Sequence, residues 1–555
     1  MVTHGRFGPR VNVIQLLKIA LVSLEDGIIA CGFRRMASFI ERLNPDTSTC
    51  YVSTNFHHTF MSHLLTRYGG KLQEELLERI AEPLLDADLV GFSSMTGYAG
   101  ITKGVIRKIR EKSRKPFLLW GGIHPIIHPE DAIQADVDAI CTGEGELAYE
   151  EFFEAWRNGR DYTKTTNFWF KKDGAVVKNC FRPLMTPPEM RSLPFPKYAG
   201  RELIFHPKQG FVPVQLSDYL LSNGLGYCTI WSIGCPLRCT YCGNTKFIDN
   251  DPKYVKIRHP GARFVVDEIK AVREKHPHVS AVNFHDDSFM ALPKPDLIEF
   301  AELWKREVDI PFAIYGVIPN YVRADKLEIL TWAGMNRVRM GIQSGSKRIL
   351  DFYQRPTPID KIENGAAALA LFKEYHIPPA YDIIVDNPIE TVEDVHETLR
   401  LIHRLARPYI LYIYSLRVIP NTTLEQQMKQ LGVKLEDISA YYHVLNPTFA
   451  NCLLLLLTFY KPPQRVFDWL LRFARPISEK PPKHRALMLL CRLIYLLKKG
   501  WDHLRFMDFS IIPGRSGYWL WKLGVIDFWR RRFYATPQTP PGVSGGALAQ
   551  PAASG

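Results

Sequence analysis

Ile233-Gly-Cys-Pro-Leu-Arg-Cys-Thr-Tyr-Cys-Gly-Asn244 places three cysteines, Cys235, Cys239 and Cys242, within eight residues. A loop this short can turn all three sulfurs toward one metal centre. Iron–sulfur cubanes usually take four cysteines, one per iron, yet the nearest further cysteine, Cys228, lies seven residues upstream. Three ligands on a four-iron cluster leave one iron open, and an open position is where metal chemistry occurs. A structural zinc site, with four N or S ligands in pairs, is the rival reading. Buried cysteines without metal are the third.

Downstream of the loop the sequence alternates between two periods. Short apolar runs at 227–232, 280–284, 312–317, 337–342, 381–385 and 409–418 read as strands, with amphipathic stretches such as 264–275, 296–307, 325–333 and 392–405 between them. Six such units over residues 227–430 predict a partial (β/α) barrel, with the cysteine loop after its first strand, where barrel chemistry sits. Polar groups end the later strands: His285-Asp286-Asp287-Ser288, Gln343-Ser344-Gly345-Ser346 and Asp386-Asn387-Pro388. Period-two alternation sends Asp286 and Asp287 to opposite faces. Either carboxylate is equally suited to capping the following turn.

Upstream, residues 1–155 alternate in the same way. Apolar runs at 18–24, 50–53, 88–92, 116–120 and 138–141 are separated by amphipathic stretches, which predicts a parallel, doubly wound sheet. Ligands of such sheets bind beyond the carboxyl ends of the strands. Ser93-Ser94-Met95-Thr96, Gly121-Gly122-Ile123-His124-Pro125 and Thr142-Gly143-Glu144-Gly145-Glu146 fall there. Small residues at these points let a bulky ligand approach the backbone, and each alone is also ordinary turn punctuation. Residues 156–226 are rich in proline and read as a connection.

Length and composition bound the rest. At 555 residues the chain holds two or three domains. Ten cysteines, three of them in one loop, are not a disulfide framework, and the cysteine cluster calls for a reducing compartment, so the cytoplasm is expected. Lys18 interrupts the first apolar stretch, which argues against a secretory signal. No uninterrupted apolar run approaches the roughly 18 residues of a membrane span. Net charge is +13, but residues 461–534 hold 16 Lys/Arg against 5 Asp/Glu, which leaves the first 460 residues nearly neutral. A uniformly basic nucleic-acid binder would look different, and no nucleic-acid partner is expected. Residues 431–534 read as helical, aromatic and basic. They suit a lid on the barrel, an interfacial membrane helix or a nucleic-acid arm, a lid with membrane-surface contact being favoured. A packed helical domain is the plain alternative. Residues 535–555 read as a disordered tail.

The Cys-x-x-x-Cys-x-x-Cys spacing, with Tyr241 before the last cysteine, resembles the radical S-adenosylmethionine (SAM) superfamily. The resemblance implies a 4Fe–4S cluster on Cys235, Cys239 and Cys242 whose open iron is chelated by SAM, and reductive cleavage of SAM to a 5′-deoxyadenosyl radical. By position, Tyr241 places its backbone against the adenine, Asp286 or Asp287 receives the SAM ammonium group, and Gln343 and Ser344 bond the ribose or carboxylate. Asp386-Asn387 stands where relatives have a Gly-rich segment beside the adenine.

Residues 17–155, with the three strand ends quoted above, resemble the cobalamin-binding domain of a large radical SAM subfamily. Ser93, Gly121 and Gly122 would line the slot for the nucleotide tail, with Gly143, Glu144 and Gly145 near the corrin. Domains of the methionine synthase type carry Asp-x-His-x-x-Gly after the first strand; here Glu25-Asp-Gly-Ile-Ile-Ala-Cys-Gly32 has no histidine. This implies base-off cobalamin without a protein imidazole on cobalt, His124 and His128 being the alternative histidines nearby.

The expected architecture is α/β: a cobalamin-binding-like domain over 1–155, a connection over 156–226, a partial (β/α)6 radical SAM barrel over 227–430 and a helical basic region over 431–534. The function this resemblance implies is methylation of an unactivated carbon of a small or lipid-like metabolite. Cyclisation, rearrangement or carbon–carbon bond formation is the alternative outcome, and a non-catalytic cobalamin-binding regulator the alternative class. Expected partners are an electron donor such as flavodoxin or ferredoxin and, through the basic C-terminal segment, the inner face of a membrane.

Overall fold

The computed structural model describes residues 17–25, 27–53, 72–198, 200–434, 445–505, 514–533 and 537. Among them fifteen strands form two sheets. The first is built on β1 (Ile19–Ser23), β2 (Thr47–Tyr51), β3 (Leu89–Ser93), β4 (Phe117–Gly121) and β5 (Ala139–Cys141), in the order β5-β4-β3-β1-β2 and parallel throughout. All five residues of β1, Ile-Ala-Leu-Val-Ser, are buried, as a strand covered on both faces requires. Strand order reverses between β1 and β3, the crevice at which doubly wound sheets bind ligands.

The Pro-rich stretch 156–226 is more than a connection. It supplies β6 (Phe168–Lys172), β7 (Ala175–Lys178), β8 (Glu202–His206) and β9 (Gly210–Pro213), which extend the sheet to nine strands. β6 and β7 add antiparallel beyond β5; β8 lies parallel beside β2, with β9 antiparallel outside it. Proline is tolerated because these are margins of the sheet: Pro213 ends an edge strand, where a missing N–H costs no ladder bond.

The second sheet holds β10 (Gly226–Thr229), β11 (Ala281–Phe284), β12 (Phe312–Val317), β13 (Met335–Gln343), β14 (Ala380–Val385) and β15 (Ile410–Ser415), each parallel to the next in chain order. β10 and β15 do not pair, so the barrel is partial, and the six strands fall on the six expected runs. Helices Ala262–Lys275, Lys294–Glu307 and Val392–Arg404 bury apolar faces against it. Phe284, Phe300, Trp304 and Phe312 meet there in a single aromatic cluster, with Phe300 and Phe312 edge-to-face at 5.5 Å.

After the barrel come helices Phe449–Phe459, Gln464–Leu471, Arg485–Arg505, Gly514–Lys522 and Val525–Phe533. The first packs against β15, and the last two return to the first unit, where Ile526 joins Leu220 and Leu225. No described helix is long and apolar enough to cross a membrane. Apart from residue 537, the expected tail over 535–555 lies outside the described residues.

Two arginines at the start of helix Cys31–Leu43 join the sheets. The fully buried Arg34 guanidinium donates to the carbonyl oxygens of Lys197 (2.7 Å) and Cys228 (3.0 Å) and lies between the rings of Tyr198 and Tyr227. Arg35 donates to the Ile230 carbonyl at 3.1 Å. Arg34→Met keeps the volume and removes both charged hydrogen bonds. It is expected to destabilise the fold by about 3 kcal/mol, read as a lower thermal midpoint; an unchanged midpoint would show the two sheets to be held together elsewhere.

Candidate active site

The cysteine loop leaves β10 through a position only glycine can occupy. Gly234 has φ +122°, and a side-chain carbon there would fall 2.7 Å from the Lys256 carbonyl oxygen and 2.9 Å from that of Tyr254. Cys235 N–H then donates to the Tyr254 carbonyl and Cys242 N–H to that of Cys239, which coils the loop. Cys239 is buried; Cys235 and Cys242 are half-buried. Burial pushes the Cys235 thiol up to about 11 and the Cys242 thiol up to about 12, and the neighbouring Asp287 carboxylate works in the same direction.

The two aspartates diverge as the pleat requires. Asp286 accepts from Trp231 N–H (3.0 Å), Ser232 N–H (2.7 Å) and the Ser232 hydroxyl (2.5 Å), so it ties down the segment leading into the loop. Burial carries its carboxyl up to about 7, against the pull of those three donors. Asp287 faces the loop itself, accepting from the Tyr254 hydroxyl at 3.3 Å.

Gln343 ends β13 in the left-handed region, at φ +73°, an uncommon conformation for a non-glycine residue. Ser344 is buried and bound within the fold: its hydroxyl meets Thr398 at 3.2 Å and accepts from Ser346 N–H. Tyr241 packs edge-on against Tyr353, and its hydroxyl accepts from Arg355 at 3.3 Å. Asp386 and Asn387 are committed to the fold. The Asp386 carboxylate accepts from Ser415, Asn446 (2.9 Å) and Asn451 (3.0 Å), and the Asn387 amide donates to Tyr353 at 3.0 Å.

Arg355 is the residue that sequence reading misses. Its buried guanidinium donates to Cys239 Sγ (3.6 Å), the Tyr241 hydroxyl and the Gly341 carbonyl (2.6 Å), which puts one cation against Cys239 and within electrostatic reach of Cys235. Tyr353-Gln-Arg-Pro356 carries no periodic signal.

Between the sheets lies a cavity of about 920 Å³, near the upper end for small-molecule sites. Ser93, Gly121, Gly122, Gly143 and Gly145 line its first side, and Ile230, His285, Tyr412 and Tyr414 reach it from the barrel. Gly122, at φ +88°, has Ser94 N only 2.9 Å from where a side-chain carbon would stand. Glu144 is turned away; it accepts from Arg258 and from Met185 N–H, both at 2.7 Å, and so clasps this loop to the segment after the cysteines. His124 is also turned away, bound to Asp131 at 2.9 Å. The first loop shows the cavity Ile29, Ala30, Cys31 and Gly32, with no imidazole.

On the barrel side, apolar Leu411, Ile413 and Leu455 line the cavity beside a group of polar and cationic side chains. Arg339 pairs with Asp382 (2.8 Å) and lies over the Tyr412 ring, while Lys499 donates to the Tyr412 hydroxyl at 3.0 Å. Burial pushes that phenol up, but Lys499, Arg339 and Arg337 together carry it below the ordinary tyrosine range. Burial and the same two arginines bring His285 down to about 4, so it is neutral at pH 7. Arg337 and Arg339 alternate along β13 and Tyr412 and Tyr414 along β15, while Asp382 comes from β14, His285 follows β11 and Lys499 comes from the helix over 485–505.

Residues 229–402 match the profile of the radical SAM superfamily, and residues 60–153 match that of the B12 binding domain. The chain thus carries a radical SAM domain preceded by a B12-binding domain. An uncharacterized methyltransferase of Pyrococcus horikoshii is 24% identical over 329 residues, 58% of this chain and 66% of that protein. The anaerobic magnesium-protoporphyrin IX monomethyl ester cyclase of Synechocystis is 24% identical over 316 residues, 56% of this chain and 58% of the cyclase. In both cases the match spans less than two thirds of the relative's length. Among solved structures, the cobalamin-dependent radical SAM enzyme OxsB superposes with a TM-score of 0.59 at 15% identity, covering 94% of this chain and 76% of its own. The radical SAM methyltransferase TsrM of Kitasatospora setae gives 0.57 at 15% identity, covering 74% and 76%.

The two domains imply a 4Fe–4S cluster, SAM and cobalamin, and the residues present fit them. Among the described residues no three His, Cys, Asp or Glu side chains converge tightly enough to hold a single ion. A cubane asks for something else, one thiolate per iron corner, and the loop offers three sulfurs with Arg355 as counter-charge. For cobalamin, the cavity offers a glycine-lined edge at the sheet's switch point.

Alkylation measures the state of the thiols. In metal-free chain at pH 7.5, Cys235 and Cys242 are expected to react with iodoacetamide far more slowly than the exposed Cys180. Their rates should rise about tenfold per pH unit up to pH 9, because the thiolate is the nucleophile. Peptide mass spectrometry showing equal rates at pH 7.5 would contradict the burial described above.

Proposed function

We propose that this chain is a cobalamin-dependent radical SAM enzyme that methylates an unactivated carbon of a small or lipid-like metabolite. One observation carries the reading: a single cavity has the glycine-rich strand ends of the first sheet in one wall and, in the other, Ile230 and His285, which follow the first two barrel strands. The three cysteines stand on the loop that begins just after Ile230, outside the cavity lining. The cluster on the cysteine loop would supply the electron that cleaves SAM, and cobalamin in the cavity would carry the methyl group.

The chain's own residues take defined parts. Cys235, Cys239 and Cys242 hold the cluster, and Arg355 balances the charge of the thiolates. Asp287, aimed at the loop, receives the SAM ammonium, while Asp286 and Ser344 position the loops around it. Gln343 presents its amide from a strained strand end, where strain marks positions fixed by their surroundings. Ser93, Gly121, Gly122, Gly143 and Gly145 admit the corrin and its tail, and Ile29 to Gly32 leave cobalt without a protein imidazole. Mostly apolar walls with Arg492 and Lys499 at one side suit a substrate that is apolar over most of its length and polar at one end. Flavodoxin or ferredoxin would deliver the electron.

Anaerobic reconstitution is expected to give about four irons per chain and 5′-deoxyadenosine on reduction. Cys239→Ala should lose both, and its retention of SAM cleavage would overturn the assignment. Added cob(II)alamin should give an electron paramagnetic resonance spectrum without nitrogen superhyperfine splitting. Splitting from nitrogen would mean an axial nitrogen base, either cobalamin's own benzimidazole or a protein imidazole; His285 lines the cavity. Labelling the protein's histidines with the heavy nitrogen isotope separates the two. The similarity to the Synechocystis cyclase makes ring closure the second outcome; S-adenosylhomocysteine formed equally with product identifies methyl transfer.

A further inference from the structure

Helix Arg485–Arg505 uses two faces. On the inner one, Met488 and Cys491 are buried in the core, Tyr495 donates to the Leu411 carbonyl at 2.7 Å, and Arg492, Tyr495, Leu496 and Lys499 line the cavity. On the outer one, Leu490, Leu493, Leu497 and Trp501 follow at steps of three and four and are 54%, 38%, 63% and 67% exposed. A helix with one partner should be polar on its other side; this one is apolar there. Trp469 (54% exposed) and Phe473 (50%) continue the surface, linked to the start of the helix by Phe449, whose ring lies 5.9 Å from both Phe473 and His484.

The surroundings of this patch are strongly basic. Residues 461–505 hold 11 Lys/Arg against 3 Asp/Glu. Lys461, Arg465, Arg472, Lys480, Lys483 and Arg485 are all exposed. Contiguous exposed apolar surface marks an interaction site, and its chemistry names the partner. Indole and leucine side chains in a field of cations fit the headgroup region of an anionic bilayer, where tryptophan settles and Lys/Arg meet phosphate.

We propose that the outer face of helix 485–505, with Trp469 and Phe473, docks on an anionic lipid surface. One helix then separates the bilayer from the cavity, and an apolar substrate can pass from lipid to active site around that helix. The docking surface stands independently of the radical SAM reading, since no cofactor enters it.

The test uses full-length chain co-sedimented with vesicles of phosphatidylglycerol and phosphatidylcholine, or of phosphatidylcholine alone, at about 0.1 M and about 1 M salt. Binding is expected to be at least about tenfold stronger to the anionic vesicles and to weaken at high salt. The double variant Leu493→Asp/Leu497→Asp should lose about tenfold in binding. Trp501→Ser, changing only the most exposed side chain, should lose less and keeps the test open if the double variant misfolds by circular dichroism. Equal binding to both vesicle types, no binding, or full binding by a folded variant would overturn the proposal. A dimer seen by sedimentation velocity in wild type and absent from the variants, without vesicle binding, would assign the face to a second copy of this chain instead.

Discussion

One buried guanidinium sets the relation of the two sheets. Arg34 stands at the start of the helix after β1 and grips the Cys228 carbonyl in β10, with Tyr198 and Tyr227 against its faces. Burial works against its charge, so the surrounding phenols and carbonyls must hold the ionised form in place. Nearby, Glu268 accepts from Tyr227 and Thr229, and burial raises its carboxyl. The strand that carries the cysteine loop is thus fixed from both sides by groups that tolerate little displacement. Together with Arg35 on Ile230 and the Glu144–Arg258 clasp, this contact ties the two sheets that flank the cavity.

Within the barrel, the polar strand ends divide into those that shape and those that face inward. Asp286, Ser344, Asp386 and Asn387 spend their hydrogen bonds on backbone and neighbouring side chains, which positions the loops. Asp287, Gln343 and Arg355 remain turned toward the thiols or the strand end beside them. A low-dielectric setting makes both jobs demanding, since a buried polar group without partners is costly.

Much of this was legible in the sequence, for physical reasons that differ by element. The barrel strands stand out because each is a short apolar run between long amphipathic helices. The strands β6 to β9 do not, because sheet margins tolerate the prolines and exposed residues that read as loop. The Gly121-Gly122 pair is legible as a turn because a side chain at Gly122, at φ +88°, would meet Ser94. Arg355 and the clasp of Glu144 with Arg258 are tertiary facts: nothing in their local spacing says that residues 114 positions apart will meet. Asp386-Asn387 reads as a gap in a cofactor contact, whereas the carboxylate is a structural hub.

That hub has a consequence for the order in which the chain matures. Asp386 ends β14, yet one of its donors, Asn451, is 65 residues further along. Until that segment has left the ribosome, a carboxylate destined for burial lacks two of its three side-chain donors, Asn446 and Asn451, and the strand end stays open. Synthesis therefore runs well past the sixth strand before the barrel's rim can close, and a nascent chain stalled near residue 430 would be expected to need chaperone protection.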